Sequence, residues 1–482
     1  MKKRKPRYID LFAGCGGLSL GLEAAGFDLV FALERSPDAA ATYFHNLIEP
    51  IDSHHEWRQS YAAGPNDLDH LKRQLKKKLV VMDIRRIVDL IGSSKDKEVR
   101  SYFKDIDLIA GGPPCQGFSV AGKRNLNDDR NSLAGQFLEV VKLARPRFVL
   151  VENVEGMASK FKGYDSHAPL YGIAEVLEKI GYEVQPMLLN AKYYGVPQNR
   201  SRVFILGCLR SKQKSRVHQL YKQNGTINGH QTPTLLPKTV SGQVTVKKAI
   251  QDLKVKWAQP PSDYIKLLNR ELGGIVTGQK IRGTRGLPNH ELRHHSLRTR
   301  SRFKSLQILK RFGLHKDLIY WAAIADEDSS TGARACERLK QEIAGAADVI
   351  PGVLEVLESD NDISAYISHV RRTQSAKTRF AKILKALSSK KHSQKVLDGD
   401  TTSSTIMTIP DDCVHYVEPR VLTVREEARL QSFPDNFEFK GKVTTGGSQR
   451  EKEVPQYTQV GNAVPPLLAK AIGKTIIRCI DE

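Results

Sequence analysis

Residues 111–122, GGPPCQGFSVAG, place one thiol, Cys115, between a pair of prolines and a glutamine, with glycines on both sides. Proline fixes φ and removes a backbone donor, while glycine permits turns and close approach, so Cys115 sits on a stiff corner that opens into a looser segment. That setting suits a nucleophile, and it also suits a small buried hydrophobe in a Pro/Gly turn. Other chemistry-bearing groups stand at the ends of apolar runs: Glu152 in VENV, and Arg200 and Arg202 in QNRSR. A further cluster, DLFAGCGGLSLGLEAAGF at 10–27, sets Gly14, Gly16 and Gly17 between an apolar run and a helical pattern. Glycines there let backbone N–H groups and a helix N-terminus approach a nucleotide-type cofactor, or simply make a tight packing turn. Glu34, about twenty residues on, is placed to accept hydrogen bonds from ribose hydroxyls, and Asp83 from an adenine amine; each could instead cap the next helix.

The elements that must position these groups are legible as short apolar runs at 8–13, 29–33, 79–84, 106–111, 147–154 and 202–207, with helical patterns near 17–25, 36–46, 131–144 and 171–180. Buried strands alternating with helices predict an α/β fold with a doubly wound, mostly parallel sheet. In such sheets the ligand crevice lies beyond the carboxyl ends of the strands, so the cysteine, the carboxylate and the arginines are expected on one edge. The stretch LKRQLKKKL at 71–79 reads as a solvated helix face. Three regions are expected: 1–208, cofactor-binding and catalytic; 209–410, basic and inserted; 411–482, a return of the chain to the first domain, with helices in 423–433 and after 459–466.

The chain has 482 residues and a net charge of +22, most of it between residues 211 and 410. A field of that size favours a polyanion, because each Lys or Arg on a phosphate releases counterions. Arg298 and Arg300 in the cluster 285–311, and Arg371 and Arg372 in the cluster 371–395, are the candidate contacts. Six scattered cysteines with no CxxC pair argue against a disulfide framework or a cysteine zinc site. No run of about 18 apolar residues and no secretory signal pattern are present, so a cytoplasmic protein without membrane attachment, associated with the nucleoid through DNA, is expected.

In order, DLFAGCGG, PPCQGFS, ENV, QNRSR, RVLTVREEARLQSFP (420–434) and QVGNAVPP (459–466) resemble the motifs of the DNA (cytosine-5) methyltransferase family of bacterial restriction-modification systems. The resemblance covers residues 1 to about 208 and 405–482; the middle segment carries no motif that maps residue by residue. Met82 stands where the family often has glycine before Asp83. The resemblance implies a Rossmann-like S-adenosylmethionine-dependent fold with an inserted target-recognition domain. It implies that Cys115 adds to C6 of a flipped-out cytosine, that Glu152 holds a proton on N3 and reads the exocyclic amine, and that Arg202 fixes O2 with Arg200 in support. S-adenosyl-L-methionine would be held by Asp10, Phe12, Gly14, Gly16, Gly17, Glu34, Asp83, Pro114, Asn462 and Val464. Gln116 would face DNA, together with Ser119, Lys123 and Arg124 of a loop, 117–131, that closes over the substrate. No metal is required, and a monomer acting on double-stranded DNA is expected, with a cognate endonuclease as the natural companion. The rival readings are a tRNA cytosine-5 methyltransferase, against which the long basic middle segment argues, and a catalytically dead DNA-binding regulator, against which the intact Cys115, Glu152 and Arg202 argue.

Overall fold

The computed structural model describes residues 4–114, 132–158, 169–209, 226–227, 230–231, 237–254, 259–277, 286–370, 374–446, 449 and 453–481. The six apolar runs become the strands β1 Arg7–Leu11, β2 Asp28–Glu34, β3 Leu79–Val81, β4 Leu108–Gly111, β5 Phe148–Val154 and, leaving one number for a strand between, β7 Ser201–Leu209. The intervening strand, β6 Tyr182–Asn190, is not announced by an apolar run: Pro186 interrupts it and its burial is irregular. It closes one edge of the seven-stranded sheet, whose order is β3-β2-β1-β4-β5-β7-β6. An edge strand tolerates proline because one side of its backbone needs no ladder partner.

β1 to β5 pair in parallel, and β7 runs antiparallel to both β5 and β6. The doubly wound, mostly parallel α/β sheet is thus present. Its antiparallel strand has a consequence for the site. The start of β7, not its end, lies beside the carboxyl end of β5, with Arg202 opposite Val154 and Phe204 opposite Glu152.

Period-two alternation divides the strand side chains between two cores. Ile9 and Leu11 of β1 face one layer, where α3 (Ile84–Ser93), α4 (Ser132–Ala144) and α5 (Pro169–Lys179) pack. Tyr8, on the other face, meets α1 (Gly17–Ala25), α2 (Pro37–Leu47) and a helix from the far end of the chain. α1 starts at Gly16, with φ 98°, and stops at Gly26, with φ 117°, a left-handed C-cap that glycine adopts without strain.

In a third core Val246, Ile250, Leu268 and Val276 pack with Leu397, Leu422, Phe437 and Val460. A fourth core, built around Phe303, Trp321, Ile350 and Phe380, holds a helical unit that begins with α6 (Leu297–Arg311) and is closed by Val414 and Val421. The third core also holds Val424, Ala428 and Leu430 of α7 (Val424–Leu430), a helix that carries a capping box between Thr423 and Glu426. Its arginines are sealed inside. Arg429 bonds Asp252 at 2.6 Å and Asp435 at 2.7 Å, and Arg425 donates to the carbonyls of Pro288, Pro434 and Phe437.

After α8 (Gln456–Asn462) the chain enters α9 (Pro466–Asp481), which lies directly on α1. Glycines make that approach possible. A Cβ on Gly21 would stand 2.4 Å from both the Ala469 Cβ and the Pro466 carbonyl oxygen, and one on Gly473 would stand 2.8 Å from the Ala25 Cβ. Gly21→Ala is therefore expected to force α9 away from α1 at a cost of about 1–3 kcal/mol, the range for overpacking. Gly92→Ala, on the exposed side of α3 with nothing within 4 Å, is expected to gain up to about 1 kcal/mol from helix propensity. Urea unfolding of the two variants checks this; equal stabilities would show that the α1–α9 seam can give.

Candidate active site

Glu152 and Arg202 meet at the carboxyl edge of the sheet, Arg202 Nε lying 3.2 Å from Glu152 Oε1. Both side chains are mostly covered yet open to a ligand, at 12% and 13% exposure. Burial pushes the Glu152 carboxyl up from its ordinary value, and the guanidinium groups of Arg202 and Arg200 oppose that shift. Arg202 Nη1 donates to the Ser201 carbonyl at 2.7 Å, which orients its fork. Gly112 makes room for the carboxylate: a Cβ there would stand 3.0 Å from Glu152 Oε2.

Asn153, one residue on, points the other way. Its Nδ2 donates to the Pro113 carbonyl at 2.9 Å, clamping the Pro113–Pro114 corner to β5. Pro114 is half-buried at the end of that corner. Cys115, Gln116, Ser119, Lys123 and Arg124 lie outside the described residues, as do Arg371 and Arg372. Asn153 was not singled out from the sequence, although its place beside Glu152 in VENV was a usable signal: alternate strand residues face opposite ways.

Arg200 does not join the Glu152–Arg202 pair by contact. Its guanidinium is buried, with 1% exposure, and donates to the carbonyls of Ile406, Gly461 and Ala463 at 3.2, 2.8 and 3.3 Å. Its surroundings are those of a group that fixes backbone.

The glycine loop after β1 forms the neighbouring crevice. Phe12 and Gly14 are left-handed, with φ 63° and 56°. A bulky residue there is strained, and such strain persists where the surroundings over-determine it. Glu34, at the end of β2, accepts from Gly14 N at 2.9 Å and Ser36 N at 2.7 Å, one bond to each carboxylate oxygen. A carboxylate has about four lone-pair sites, so acceptor capacity is left over. Gly14 faces open space, with nothing within 4 Å of where a Cβ would be, whereas a Cβ on Gly17 would meet the Val464 carbonyl at 2.4 Å. Val464 is buried against the loop and Asn462 is exposed at the end of α8. Asp83 caps α3 by accepting from Arg85 N and pairs with both the Nε and Nη2 of Arg85 at 2.9 Å.

Asp10 sits beneath this loop, fully buried. Ser19 Oγ donates to its Oδ2 at 2.6 Å and in turn accepts from the Tyr43 hydroxyl at 2.8 Å, while Oδ1 has no partner among the described residues. Burial raises its pKa to about 7. An unpaired buried carboxylate under an open glycine cradle fits a cofactor that carries positive charge beside a nucleoside.

Among the basic candidates, Arg298 and Arg300 are both exposed on α6, but they differ in setting. Arg300 is paired with Asp362 at 3.3 Å. Arg298 donates to the Ser388 carbonyl at 3.4 Å and has no acid partner among the described residues.

A parallel sheet with an antiparallel seventh strand, a glycine loop after β1 and an acid ending β2 defines a methyltransferase fold of the Rossmann-like class. A solved structure described as a prophage-encoded DNA modification methyltransferase of E. coli superimposes with a TM-score of 0.50, at 20% identity, over 99% of this chain and 100% of that one. The family model for C-5 cytosine-specific DNA methylase matches residues 6–72 and 84–478. The chain belongs to that family and is a DNA cytosine-5-methyltransferase. It is similar to the Type II methyltransferase M.AgeI of Thalassovita gelatinovora, at 29% identity over 98% of this chain and 99% of the relative. M.DdeI of Desulfomicrobium norvegicum is also 29% identical, over 97% and 88%.

Two outcomes test the site as built. Asn153→Ala is expected to lower kcat by about 10²-fold through misplacement of the Pro113–Pro114 corner, with cofactor affinity unchanged; an unaltered kcat would show that the corner holds itself. For Asp10 the folded pKa lies above the unfolded one, so its charge weakens the fold as pH rises from about 4, and the penalty is complete above about 7. Asp10→Asn should therefore be more stable than wild type at pH 8, by up to about 4 kcal/mol, and no more stable at pH 4, while binding the cofactor less well. Urea titrations at both pH values together with calorimetry would separate the two effects.

Proposed function

We propose that this enzyme methylates C5 of a cytosine flipped out of duplex DNA at a specific sequence, within a restriction-modification system of the kind for which its Type II relatives are named. The observation that carries the chemistry is the Glu152–Arg202 pair, part-open at the sheet edge beside the corner that leads into Cys115. C5 of cytosine is too weak a nucleophile to take a methyl group unaided. Addition of the Cys115 thiolate to C6 makes C5 electron-rich, and the charge that would otherwise build in the ring has to be met by the protein. Glu152 meets it: a carboxyl whose pKa is raised by burial is suited to hold a proton at N3 and to accept from the exocyclic amine. Arg202, held in line by its bond to Ser201 O, donates to O2. After methyl transfer, loss of the C5 proton and elimination of the thiolate restore Cys115 and release 5-methylcytosine.

S-adenosylmethionine supplies an electrophilic sulfonium methyl. Glu34 has acceptor capacity for its ribose hydroxyls, Gly14 leaves the space, and Asp10, whose carboxyl burial lifts to about 7, offers a buried negative charge that a nearby sulfonium would favour. None of these groups could reach a base stacked in a duplex, hence the flip. Residues 209–410 are proposed to read the target, with an endonuclease of the same specificity as the companion activity.

DNA bearing 5-fluorocytosine is expected to trap a covalent adduct with the wild-type enzyme, since fluorine cannot leave as the C5 proton does, and Cys115→Ala is expected to form none. Glu152→Gln should keep DNA binding and lose at least about 10²-fold in rate. An adduct that persists in Cys115→Ala would sink the assignment of the nucleophile, and bisulfite sequencing of plasmid from expressing cells would report the methylated site.

A further inference from the structure

At the start of α6 an open cleft of about 550 Å³ is walled by Arg298, Thr299, Arg302, Ser388, Ser389 and Lys390, with Ala323 its only apolar lining residue. Arg298 and Arg302 are four residues apart, so they share one helix face about 6 Å apart along the axis, while Arg300 lies on the other side and is neutralised by Asp362. Neither Arg298 nor Arg302 has an acid partner within salt-bridge distance among the described residues. The Nε of Arg302 is buried without a hydrogen-bond partner. The opposing charges nearby are Glu327, which pairs with Lys390 at 2.6 Å, and Asp411, which is already held by Arg293 and Lys391. Two like charges are thus brought together at a polar, hydroxyl-lined opening with no acid within salt-bridge distance of either among the described residues.

We infer that this cleft is a phosphate clamp for the DNA backbone, formed by Arg298 and Arg302. Planar guanidinium forks match phosphate oxygens, and serine and threonine hydroxyls complete such sites. Among the described residues the lining has no aromatic side chain on which a base or nucleoside could stack, which favours the backbone over a base. Position is compatible with a duplex. Asp411 is ion-paired with Lys391, next to the cleft residue Lys390, and lies seven residues after Ser404, which pairs in register with Asn199 near the start of β7. Seven extended residues span at most about 25 Å, and the three from Asn199 to Arg202 add about 10 Å, so with the about 5 Å between paired strands and the reach of the ion pair the cleft lies within about two turns of duplex, ~34 Å each, of Arg202. The inference rests on the proposed action on duplex DNA.

The test is the salt dependence of duplex binding by the full chain. Arg298→Ala/Arg302→Ala is expected to give a log–log slope shallower by about 0.9, the loss of one phosphate contact, with S-adenosylmethionine affinity unchanged and the methylated sequence the same. Arg298→Lys/Arg302→Lys, which keeps the charges, should recover most of that slope, and Arg300→Ala, equal in charge change but on the other helix face, should move it little. A double-alanine variant that melts as wild type does and keeps the wild-type slope would overturn the clamp. So would loss of inorganic phosphate binding in calorimetry with no change in slope, which would mark a free-anion site. If wild type itself neither binds nor methylates duplex DNA, the proposed function fails and the clamp with it, an outcome distinct from failure of the clamp alone.

Discussion

One buried cation holds three distant parts of the chain to the site. Arg200 stands two residues before Arg202, and its guanidinium is spent on the carbonyls of Ile406, Gly461 and Ala463. A charged group with 1% exposure is costly to bury, and its Nε has no partner among the described residues, so the three bonds that its Nη1 and Nη2 make to those carbonyls are the ones it cannot lose without a large cost. Gly461 is drawn in close enough that a Cβ on it would meet the Met407 carbonyl oxygen at 2.4 Å. The entry to β7, the segment that leads back from the helical unit, and the turn before α9 are therefore one packed object. The register that sets Arg202 opposite Val154 depends on residues more than 250 positions later.

That long reach explains what was legible beforehand. The strands β1 to β5, β7 and the first helices follow from local periodicity, because a buried parallel strand advertises itself as an apolar run. β6 does not, since an edge strand carrying a proline has a weaker pattern. Glu152 and Arg202 were legible from motif and strand-end position. The roles of Arg200 and Asn153 were not, because each is defined by a backbone carbonyl that no side-chain pattern reveals. Asp83 shows a different ambiguity: at a strand-to-helix junction one carboxylate suits a cap, an ion pair or a ligand, and sequence alone does not choose.

Exposure separates working charges from structural ones. The arginines of α7 resemble catalytic residues in type, yet Arg429 and Asp252 are sealed at 0% on both sides, and a buried pair of that kind is valued for holding geometry rather than for net stability. Glu152 and Arg202, 3.2 Å apart, keep about an eighth of their surface open. A substrate group can compete for Arg202 only because that pair is incompletely buried, and burial of the rest is what lifts the Glu152 carboxyl toward a protonated state.

The same distinction applies to the basic middle of the chain, where net charge is a poor map of contact. Lys304 is held between Asp360 and Asp362, Arg379 by Glu358, Lys385 by Asp326 and Lys310 by Asp398. These cations tie the helices of one unit to each other and to the turns beside them. Their field still attracts a polyanion at distance, but a phosphate that reached them would have to displace a carboxylate already in place. Contact energy is therefore concentrated where cations lack such partners, so a +22 chain can steer DNA with many residues while gripping it with few.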